Sequence, residues 1–257
     1  MVFIVTGATG AIGSSAVEQL RALGHTVIGT SRRAEHEGFR PLDISSPQSI
    51  EAFAQSLEDD HIRIDGLLNN AGTMLRQYET TPEGFERTLA TNYLGTYHLT
   101  RRLLPLMNSG AHVVCTISLS CYVARLDRNL FQPDPAHYSQ VKTYANSKMA
   151  VMLFAEELHR RHGDHLTVHV SDPGIVNSRM IHLDRWFDSL ADLIFRPFCK
   201  SPKQGAKPAI NALLHPANEG NSLLLFRGDR QRAIPHRWEQ PEMAKWLWDE
   251  TSKRLQL

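Results

Sequence analysis

Short runs of apolar, β-branched residues alternate along the chain with longer segments in which apolar residues recur at helical spacing. The short runs predict strands over residues 2–5, 25–30, 40–44, 66–69, 112–117, 166–171 and 222–226, the last being the final strand. The longer segments predict helices over residues 14–24, 47–57, 82–107, 144–162 and 203–214, with Ser46 capping the second. This alternation is typical of an α/β fold, a doubly wound parallel sheet of about seven strands with helices on both faces.

Length and composition fit one domain and exclude some classes of partner. The 257 residues contain no repeat or linker and are assigned to a single domain, 1–257. The 28 Lys and Arg residues nearly balance the 27 Asp and Glu residues, which argues against nucleic acid as the main partner. Three cysteines without a CxxC pair favour a reducing, cytoplasmic location. We expect neither a signal peptide nor a transmembrane segment, since no apolar run approaches roughly 20 residues.

A glycine-rich turn, TGATGAIG at residues 6–13, separates the first predicted strand from the first predicted helix. Between a strand and a helix, such a turn binds the pyrophosphate of a dinucleotide, because glycines allow close approach and the helix N-terminus supplies unpaired N–H groups. Glycine-rich turns also occur without any ligand, so the turn alone is not specific. The candidate cofactor-binding residues here are Gly7, Thr9, Gly10, Ala11, Ile12 and Gly13.

Tyr144 and Lys148 are four residues apart and fall on one face of a predicted helix. A free tyrosine has a pKa of about 10, and a nearby ammonium group favours the phenolate. We therefore expect Lys148 to lower the pKa of Tyr144, which would suit general acid–base catalysis on a carbonyl or alcohol oxygen. The spacing also arises by chance on exposed helices, and the glycine turn upstream is what favours a catalytic role.

Together with four further segments in the same order, these motifs resemble the short-chain dehydrogenase/reductase family over roughly the whole chain. The segments are NNAG at residues 69–72, TNYLG at 91–95, Ser118 at the end of a predicted strand, and PGIVNS at 173–178. The resemblance implies a Rossmann-type domain and a catalytic tetrad of Asn92, Ser118, Tyr144 and Lys148. It implies further cofactor contacts from Tyr144, Lys148, Asn70, Ala71, Gly72, Pro173, Gly174, Val176 and Ser178.

Ser120 is an alternative to Ser118. The family usually has adjacent serines, whereas this chain has Ser118 and Ser120 separated by a leucine. Counting from the start of the predicted strand favours Ser118. Ser147 and Tyr138 are expected to be structural or rim residues.

The end of the second predicted strand favours NADP(H) over NAD(H). An acidic residue there would hold the ribose 2′-hydroxyl of NAD, whereas arginine suits the 2′-phosphate of NADP. This chain has Ser31, Arg32 and Arg33 and no acidic residue at that point, although two solvated surface arginines are the alternative. By resemblance, Asp43 and Ile44 form the adenine-binding pair. The short interval before them leaves no room for the helix normally found there.

Two features bear on the branch of the family. The TGxxGxxG spacing is more typical of the extended branch that includes sugar-nucleotide epimerases, but the short C-terminal region and the NNAG segment argue against that branch. The long stretch between Ser118 and Tyr144 resembles the retinol-dehydrogenase-like branch, as do residues 138–148, 153–158 and 201–206.

An apolar, aromatic segment after the sixth predicted strand is expected to form a substrate lid within about 177–202. Such a lid suggests a lipophilic or ring-containing carbonyl compound. The alternatives are a contact with another subunit or a membrane surface, and simple packing on the core. The apolar residues of the segment are Met180, Ile181, Leu183, Trp186, Phe187, Leu190, Leu193, Ile194, Phe195 and Phe198.

These expectations combine into an NADP(H)-dependent oxidoreductase that interconverts a carbonyl and an alcohol on a small molecule. In reduction the nicotinamide delivers hydride, Tyr144 donates the proton and Ser118 stabilises the oxyanion. Lys148 lowers the tyrosine pKa and holds the ribose, and Asn92 orders a water. The alternatives are a C=C reductase of protochlorophyllide-reductase type, an epimerase or dehydratase, and a non-catalytic NADP-binding regulator. No metal site is expected, and family habit implies a homo-dimer or homo-tetramer formed through the two long helices.

Overall fold

The computed structural model describes residues 1–33, 37–176, 199–216 and 222–257. The strands are β1 Val2–Val5, β2 Thr26–Ser31, β3 Phe39–Pro41, β4 Ile64–Asn69, β5 Met107–Thr116, β6 Leu166–Asp172, β7 Leu224–Arg227 and β8 Arg230–Ala233. They form one eight-stranded sheet in the order β3-β2-β1-β4-β5-β6-β7-β8. All neighbouring pairs from β3 to β7 are parallel, and β8 pairs antiparallel with β7.

Helices lie on both faces of this sheet. They are α1 Ala11–Ala22, α2 Pro47–Asp59, α3 Arg87–Leu89, α4 Gly95–Leu103, α5 Gln140–His162, α6 Pro202–Leu213 and α7 Pro241–Leu255. A π-helical turn, Ala90–Leu94, joins α3 to α4. Ser46 caps α2 as predicted, its side chain accepting a hydrogen bond from the Ser49 amide. Among the described residues, no helix has both the length and the apolar character to span a bilayer.

The central strands bury both of their faces. In β1, Ile4 belongs to the apolar core that includes residues of α2, α4, α5 and α7, whereas Phe3 and Val5 belong to the core formed with α1 and α6. This alternation follows from the period of two along a strand. Burial of both faces explains the near-continuous apolar runs in the sequence. The predicted α/β fold with helices on both faces is confirmed.

The strand order reverses between β1 and β4. The chain proceeds from β1 outward through β2 to β3, then returns to β4 on the other side of β1. In open sheets of this kind, ligands bind in the crevice outside the carboxyl ends of the strands at such a reversal. The glycine turn follows β1 at this edge, so the topology positions it for binding a ligand.

The stretch at residues 82–107 holds a helix as predicted, but the helix is shorter than the stretch at both ends. Helical structure begins only at Arg87, because Gly84 adopts a turn with φ of 86° and the Glu86 side chain caps the helix by accepting from the amides of Thr88 and Leu89. At the other end α4 stops at Leu103, and Met107 already begins β5. Apolar spacing alone could not separate the helix from the turn before it and the strand after it.

The C-terminal region contains two elements that the sequence analysis missed. β7 agrees with the strand predicted over residues 222–226, but it is not the final strand, because β8 follows it in a hairpin. All four residues of β8 are exposed, so this strand lacks the apolar run by which the others were found. The helix α7 then packs against α5.

The helix α7 covers the surface through which association of subunits was expected. The Tyr93 hydroxyl lies 2.6 Å from the Thr251 hydroxyl, and the Tyr97 hydroxyl donates to the Trp248 carbonyl at 3.2 Å. Trp248 also stacks on Phe154 of α5, with ring centroids 5.7 Å apart. No residue between 145 and 158 of α5 is exposed. The chain's own α7 therefore packs on the two long helices through which subunits were predicted to associate. The association of subunits itself stays a prediction.

Three histidines meet on the face of the sheet that carries α6. The His169 ring is fully buried, with centroids 6.5 Å from His112, 5.6 Å from His215 and 5.1 Å from Phe226. Its Nδ1 accepts a hydrogen bond from the Leu224 amide at 3.3 Å. Burial and, to a smaller extent, the neighbouring histidines lower the pKa of His169 to about 3. The native state therefore keeps His169 neutral.

The neutral state of His169 predicts a loss of stability in acid. In the unfolded chain a histidine has a pKa of about 6.5, so protons bind the unfolded state as the pH falls below that value. Between the unfolded pKa and about 3 the native state does not take up this proton, which costs about 2 kcal/mol at about pH 5. His169→Asn, which can retain an acceptor for the Leu224 amide, should make the free energy of unfolding fall less steeply below about pH 6.5.

Urea titrations across this pH range would measure the slope, independently of any change in absolute stability. The exposed His236 offers a matched control, and His236→Asn should leave the slope as in the wild type. Equal slopes for His169→Asn and the wild type would contradict the prediction.

Candidate active site

A cavity of about 690 Å³ opens at the carboxyl edge of the sheet. The glycine turn and the end of β2 form one side, and residues 70–75 lie beside them. Residues 116–120, Tyr144, Lys148 and residues 173–176 close the other end. The cavity therefore brings together segments that the sequence analysis assigned to the cofactor and to catalysis.

Close packing explains the glycines at the start of the cavity. Gly7 has φ of 64°, and a Cβ atom on it would lie 2.9 Å from Ala71 Cα. A Cβ on Gly13 would lie 2.2 Å from the Gly7 carbonyl oxygen. Gly10 caps α1, so the first turn of that helix opens towards the cavity. All six predicted residues of this turn line the cavity: Gly7, Thr9, Gly10, Ala11, Ile12 and Gly13.

Of the three residues predicted at the end of β2, Ser31 and Arg32 line the cavity and Arg33 does not. The Ser31 hydroxyl donates to the Arg33 carbonyl. Arg32 is exposed. Residues 32, 33, 37 and 38 are not helical.

Asp43 and Ile44, the predicted adenine-binding pair, both line the cavity just after β3. The Asp43 carboxylate accepts from the Ser45 amide at 2.9 Å and from its hydroxyl at 2.6 Å. These bonds turn the chain at the mouth of the cavity. Ser45 lines the cavity as well.

The segment after β4 is bound to the end of β1 by Thr6. The Thr6 hydroxyl accepts hydrogen bonds from the amides of Asn70 and Ala71, both at 2.9 Å. The Asn70 side chain donates back to the Thr6 carbonyl at 2.9 Å. Asn70, Ala71 and Gly72 line the cavity as predicted, and so does Thr6, which the sequence analysis did not select. Its place at the start of the glycine motif could have identified Thr6 as a residue of the site from the sequence.

Tyr144, Ser118 and Lys148 meet at the opposite end of the cavity. Burial raises the pKa of Tyr144 to about 12, and a hydrogen bond with Ser118 opposes part of that rise. Burial lowers the pKa of Lys148 to about 8. The Lys148 ammonium donates to the Thr116 carbonyl at 2.9 Å and lies 6.0 Å from the centre of the Tyr144 ring.

The expected lowering of the Tyr144 pKa is therefore wrong for this site. Burial acts against the charged form of each residue, so it raises the tyrosine pKa and lowers the lysine pKa. Helical spacing predicted that the two side chains share a site, but it carried no information about their desolvation. Near neutral pH the tyrosine retains its proton.

Ser118 and Ser120 both line the cavity, and of the two only Ser118 acts to lower the pKa of Tyr144. The Ser118 side chain accepts from the Ser120 amide at 3.2 Å, which fixes the turn between them. The Ser120 hydroxyl is buried without a hydrogen-bond partner among the described residues. The geometry thus favours Ser118 over Ser120 beside the tyrosine.

Asn92 lies behind the cavity, in the π-helical turn. Its amide group donates to the Thr73 carbonyl at 2.9 Å and to the Ser147 hydroxyl at 2.8 Å, and its oxygen accepts from the Thr73 amide at 2.7 Å. Asn92 does not line the cavity, unlike the other three members of the predicted tetrad. Gly72 separates it from Lys148, since a Cβ there would lie 3.3 Å from Asn92 Oδ1 and 3.4 Å from Lys148 Nζ.

Ser147 joins Asn92 to the helix that carries Tyr144. Its hydroxyl accepts a hydrogen bond from the side-chain amide of Asn92 and donates one to the Tyr144 carbonyl at 2.8 Å. Ser147 is fully buried, so it is a structural residue within the site and not a rim residue.

The outer part of the cavity has apolar walls. Met74, Leu75, Val141 and Ile175 line it, none of them selected from the sequence. Tyr138 donates to the Leu75 carbonyl at 2.7 Å, and the Gln140 side chain donates to the Met74 carbonyl at 3.4 Å. The long stretch before α5 thus holds one wall of the cavity in place.

Pro173, Gly174 and Val176 line the cavity as predicted. Ser178 and the apolar residues of the predicted lid, Met180 to Phe198, lie outside the described residues. The lid therefore stays a prediction.

Residues 1–185 match the short chain dehydrogenase family. The chain belongs to this family. Polyprenol dehydrogenase of Mus musculus is 33% identical over 280 residues, covering 97% of this chain and 82% of that protein. Retinol dehydrogenase 13 of Homo sapiens is 30% identical over 278 residues, covering 99% and 84%. The predicted family and its retinol-dehydrogenase-like branch are confirmed.

Solved structures agree with this assignment. A crystal structure of an uncharacterized protein from Mycobacterium Paratuberculosis has a TM-score of 0.79 and 26% identity, covering 99% of this chain and 93% of that chain. NADPH-Dependent 3-Quinuclidinone Reductase from Rhodotorula Rubra shares the fold, with a TM-score of 0.67, 19% identity and coverage of 88% and 90%. As a member of the family, this short chain dehydrogenase is an oxidoreductase that uses a nicotinamide cofactor.

In the glycine turn of this dehydrogenase, an added methyl group should lower the free energy of unfolding by different amounts at Gly13 and at Gly10. Gly13→Ala places a Cβ 2.2 Å from a backbone oxygen, so the chain must shift, at a cost of about 1–3 kcal/mol. Gly10→Ala is the matched control, because its Cβ would lie 3.3 Å from that same Gly7 oxygen, a distance that a small adjustment can relieve. Urea unfolding should show Gly13→Ala to be clearly the less stable variant, and equal stabilities would refute the packing argument.

Proposed function

We propose that this dehydrogenase uses NADP(H) to interconvert a carbonyl and an alcohol on a lipophilic or ring-containing small molecule. The observation that carries the proposal is the meeting of Tyr144, Ser118 and Lys148 at one end of a cavity whose other end is the glycine turn. A dinucleotide is long enough to need both ends, and a reacting carbon must lie beside an acid–base group.

The cavity suits a dinucleotide in shape and in donor chemistry. The absence of side chains at Gly7 and Gly13 lets the turn pack closely against Ala71 and against itself, and the N-terminus of α1 faces the cavity. Unpaired amides at a helix N-terminus favour phosphate oxygens. Gly7 to Gly13 would hold the pyrophosphate, Asp43 and Ile44 the adenine side, and Pro173 to Val176 the nicotinamide side. When bound, the cofactor supplies or accepts the hydride.

The residues of the chain supply the proton and orient the oxygen. Tyr144, with its raised pKa, keeps a proton that it can donate to the developing alkoxide. Ser118, which lines the same end of the cavity, would stabilise the same oxygen. Lys148 remains mostly an ammonium group near neutral pH, because its pKa is about 8. Its remaining N–H donors would hold ribose hydroxyls of the cofactor, while Asn92 and Ser147 keep the helix and the Gly72–Thr73 segment together.

Arg32 supports NADP(H) over NAD(H). It is exposed at the end of β2 and lines the cavity. No carboxylate lies between Gly29 and Arg33 to hold a ribose 2′-hydroxyl, and Oδ1 of Asp43 already accepts two hydrogen bonds from Ser45. A guanidinium group binds phosphate through charge-assisted hydrogen bonds.

Apolar walls support a lipophilic substrate. Met74, Leu75, Val141 and Ile175 line the outer cavity, and apolar linings favour apolar ligands. Two relatives are named polyprenol dehydrogenase and retinol dehydrogenase 13, and polyprenol and retinol are both apolar alcohols.

Tyr144→Phe tests the reaction. Removing the proton donor should lower kcat by about 10²–10⁴-fold on a panel of lipophilic ketones and aldehydes, with NADPH binding nearly unchanged. Turnover is followed at the nicotinamide absorbance and binding by fluorescence titration. Tyr122→Phe is the matched control, because Tyr122 does not line the cavity.

Product analysis separates this proposal from its alternatives. Undiminished turnover of Tyr144→Phe would contradict the assigned mechanism. A saturated ketone as product would identify a C=C reductase, and tight NADPH binding without turnover of any carbonyl would indicate a regulator. An epimerase or dehydratase would show no net consumption of NADPH.

Arg32→Ala tests the cofactor. Loss of a charge-assisted contact with the 2′-phosphate should weaken NADPH binding roughly 10- to 100-fold and leave NADH binding unchanged. Arg33→Ala is the control, because Arg33 does not line the cavity. Fluorescence titration of both nucleotides against the three proteins measures the effect. Equal weakening of NADPH and NADH, or no weakening, would refute the role of Arg32.

A further inference from the structure

Asp172 is a buried carboxylate at the reacting end of the cavity. It is the last residue of β6 and only 1% exposed. Along β6, Val168 and Val170 belong to the core that contains α5, so alternation directs Asp172 to that same face. Its charge raises the pKa of both Tyr144 and Cys121, which agrees with a position beneath the catalytic helix.

One oxygen of this carboxylate closes the turn that follows. Asp172 Oδ1 accepts a hydrogen bond from the Gly174 amide at 2.8 Å. Gly174 has φ of 74°, a conformation that residues other than glycine rarely adopt. The side-chain bond therefore holds in one conformation a glycine that could otherwise adopt many.

The other oxygen faces Arg227. Asp172 and Arg227 are register partners on β6 and β7, with Arg227 Nε 3.5 Å from Asp172 Oδ2. That oxygen is buried and has no hydrogen-bond partner among the described residues. Burial raises the pKa of Asp172, while the Gly174 amide and the charges of Arg227 and Lys200 act in the opposite direction. A buried charge with one oxygen unbonded is costly, which calls for a reason why this position holds an aspartate.

The turn forms a wall of the cavity. Pro173 and Gly174 line the cavity together with Tyr144 and Lys148. On its other side the turn is covered by Lys200, whose Nζ would lie 3.2 Å from a Cβ on Gly174. Lys200 is joined to the same segment, since its amide donates to the Ile175 carbonyl at 2.9 Å.

We propose that Asp172 is a positioning residue that fixes the Pro173–Gly174 wall through the Gly174 amide, with Arg227 orienting the carboxylate. This inference rests on the proposed function, in which the nicotinamide lies against that wall. A wall displaced by a fraction of an ångström would misplace the hydride-transferring ring relative to Tyr144, and such misplacement is costly in catalysis.

Comparing Asp172→Ala with Asp172→Asn shows whether the site needs a hydrogen-bond acceptor for the Gly174 amide or a negative charge at this position. Asparagine retains a side-chain oxygen for the Gly174 amide, whereas alanine removes it. Asp172→Ala should speed hydrogen exchange of the Gly174 amide at least tenfold, weaken NADPH binding about tenfold and lower kcat. Asp172→Asn should stay within about threefold of the wild type in the exchange rate, the NADPH affinity and kcat. Ser171→Ala is the matched control, since Ser171 is equally buried but points to the other face of β6.

The exchange of the Gly174 amide is measured without cofactor, so it tests the turn even if the proposed function fails. Wild-type protein that binds neither NADPH nor NADH would refute the proposed function and leave the exchange result standing. Unchanged exchange and NADPH affinity in Asp172→Ala, or equal losses in Asp172→Asn and Asp172→Ala, would overturn the positioning role.

Arg227→Gln keeps the proposal testable should Asp172→Ala fail to fold. The Arg227 side chain is 38% exposed, so its replacement leaves the core intact. We expect exchange of the Gly174 amide to quicken about threefold, with Asp172→Asn again near the wild type. No change in exchange would overturn the orienting role of Arg227.

Discussion

The hydroxyl of Thr6 joins the two strand ends between which the cavity opens. It accepts from the amides of Asn70 and Ala71 and donates to the Leu68 carbonyl at 3.3 Å. These bonds cross from β1 to β4, where the strand order reverses and the connecting chains diverge to opposite sides. Since a Cβ on Gly7 would nearly touch Ala71, the glycine turn packs directly on the segment after β4, and the shape of the cavity depends on their contact.

Burial governs the chemistry at the other end of the cavity. It displaces the pKa values of Tyr144 and Lys148 in opposite directions, because it disfavours phenolate and ammonium alike. The result is a tyrosine that keeps its proton beside a lysine whose charge is lost more easily than on the surface. Asp172 adds a negative charge that favours the neutral tyrosine further. In the role proposed for it, Tyr144 would therefore carry its proton before the reaction begins.

The helix that carries Tyr144 and Lys148 is held from its outer side by the far end of the chain. Trp248 of α7 stacks on Phe154 and lies under two guanidinium groups, those of Arg101 at 5.0 Å and Arg161 at 4.8 Å. Aromatic and cation–π contacts of this kind stabilise buried surfaces beyond the area they bury. The position of Tyr144 and Lys148 therefore depends on residues about a hundred positions later in the chain.

Local patterns in the sequence determined the α/β fold, the glycine turn, the Ser46 cap and the shared face of Tyr144 and Lys148, because each follows from the period of a helix or strand or from the conformations open to glycine. The family assignment rested on the same local motifs. Tertiary structure alone decided the direction of the Tyr144 pKa shift, the place of Asn92 behind the cavity, the role of Thr6 and the covering of α4 and α5 by α7. Those features arise from desolvation and from contacts between residues far apart in the chain, and the spacing of neighbouring residues does not encode either.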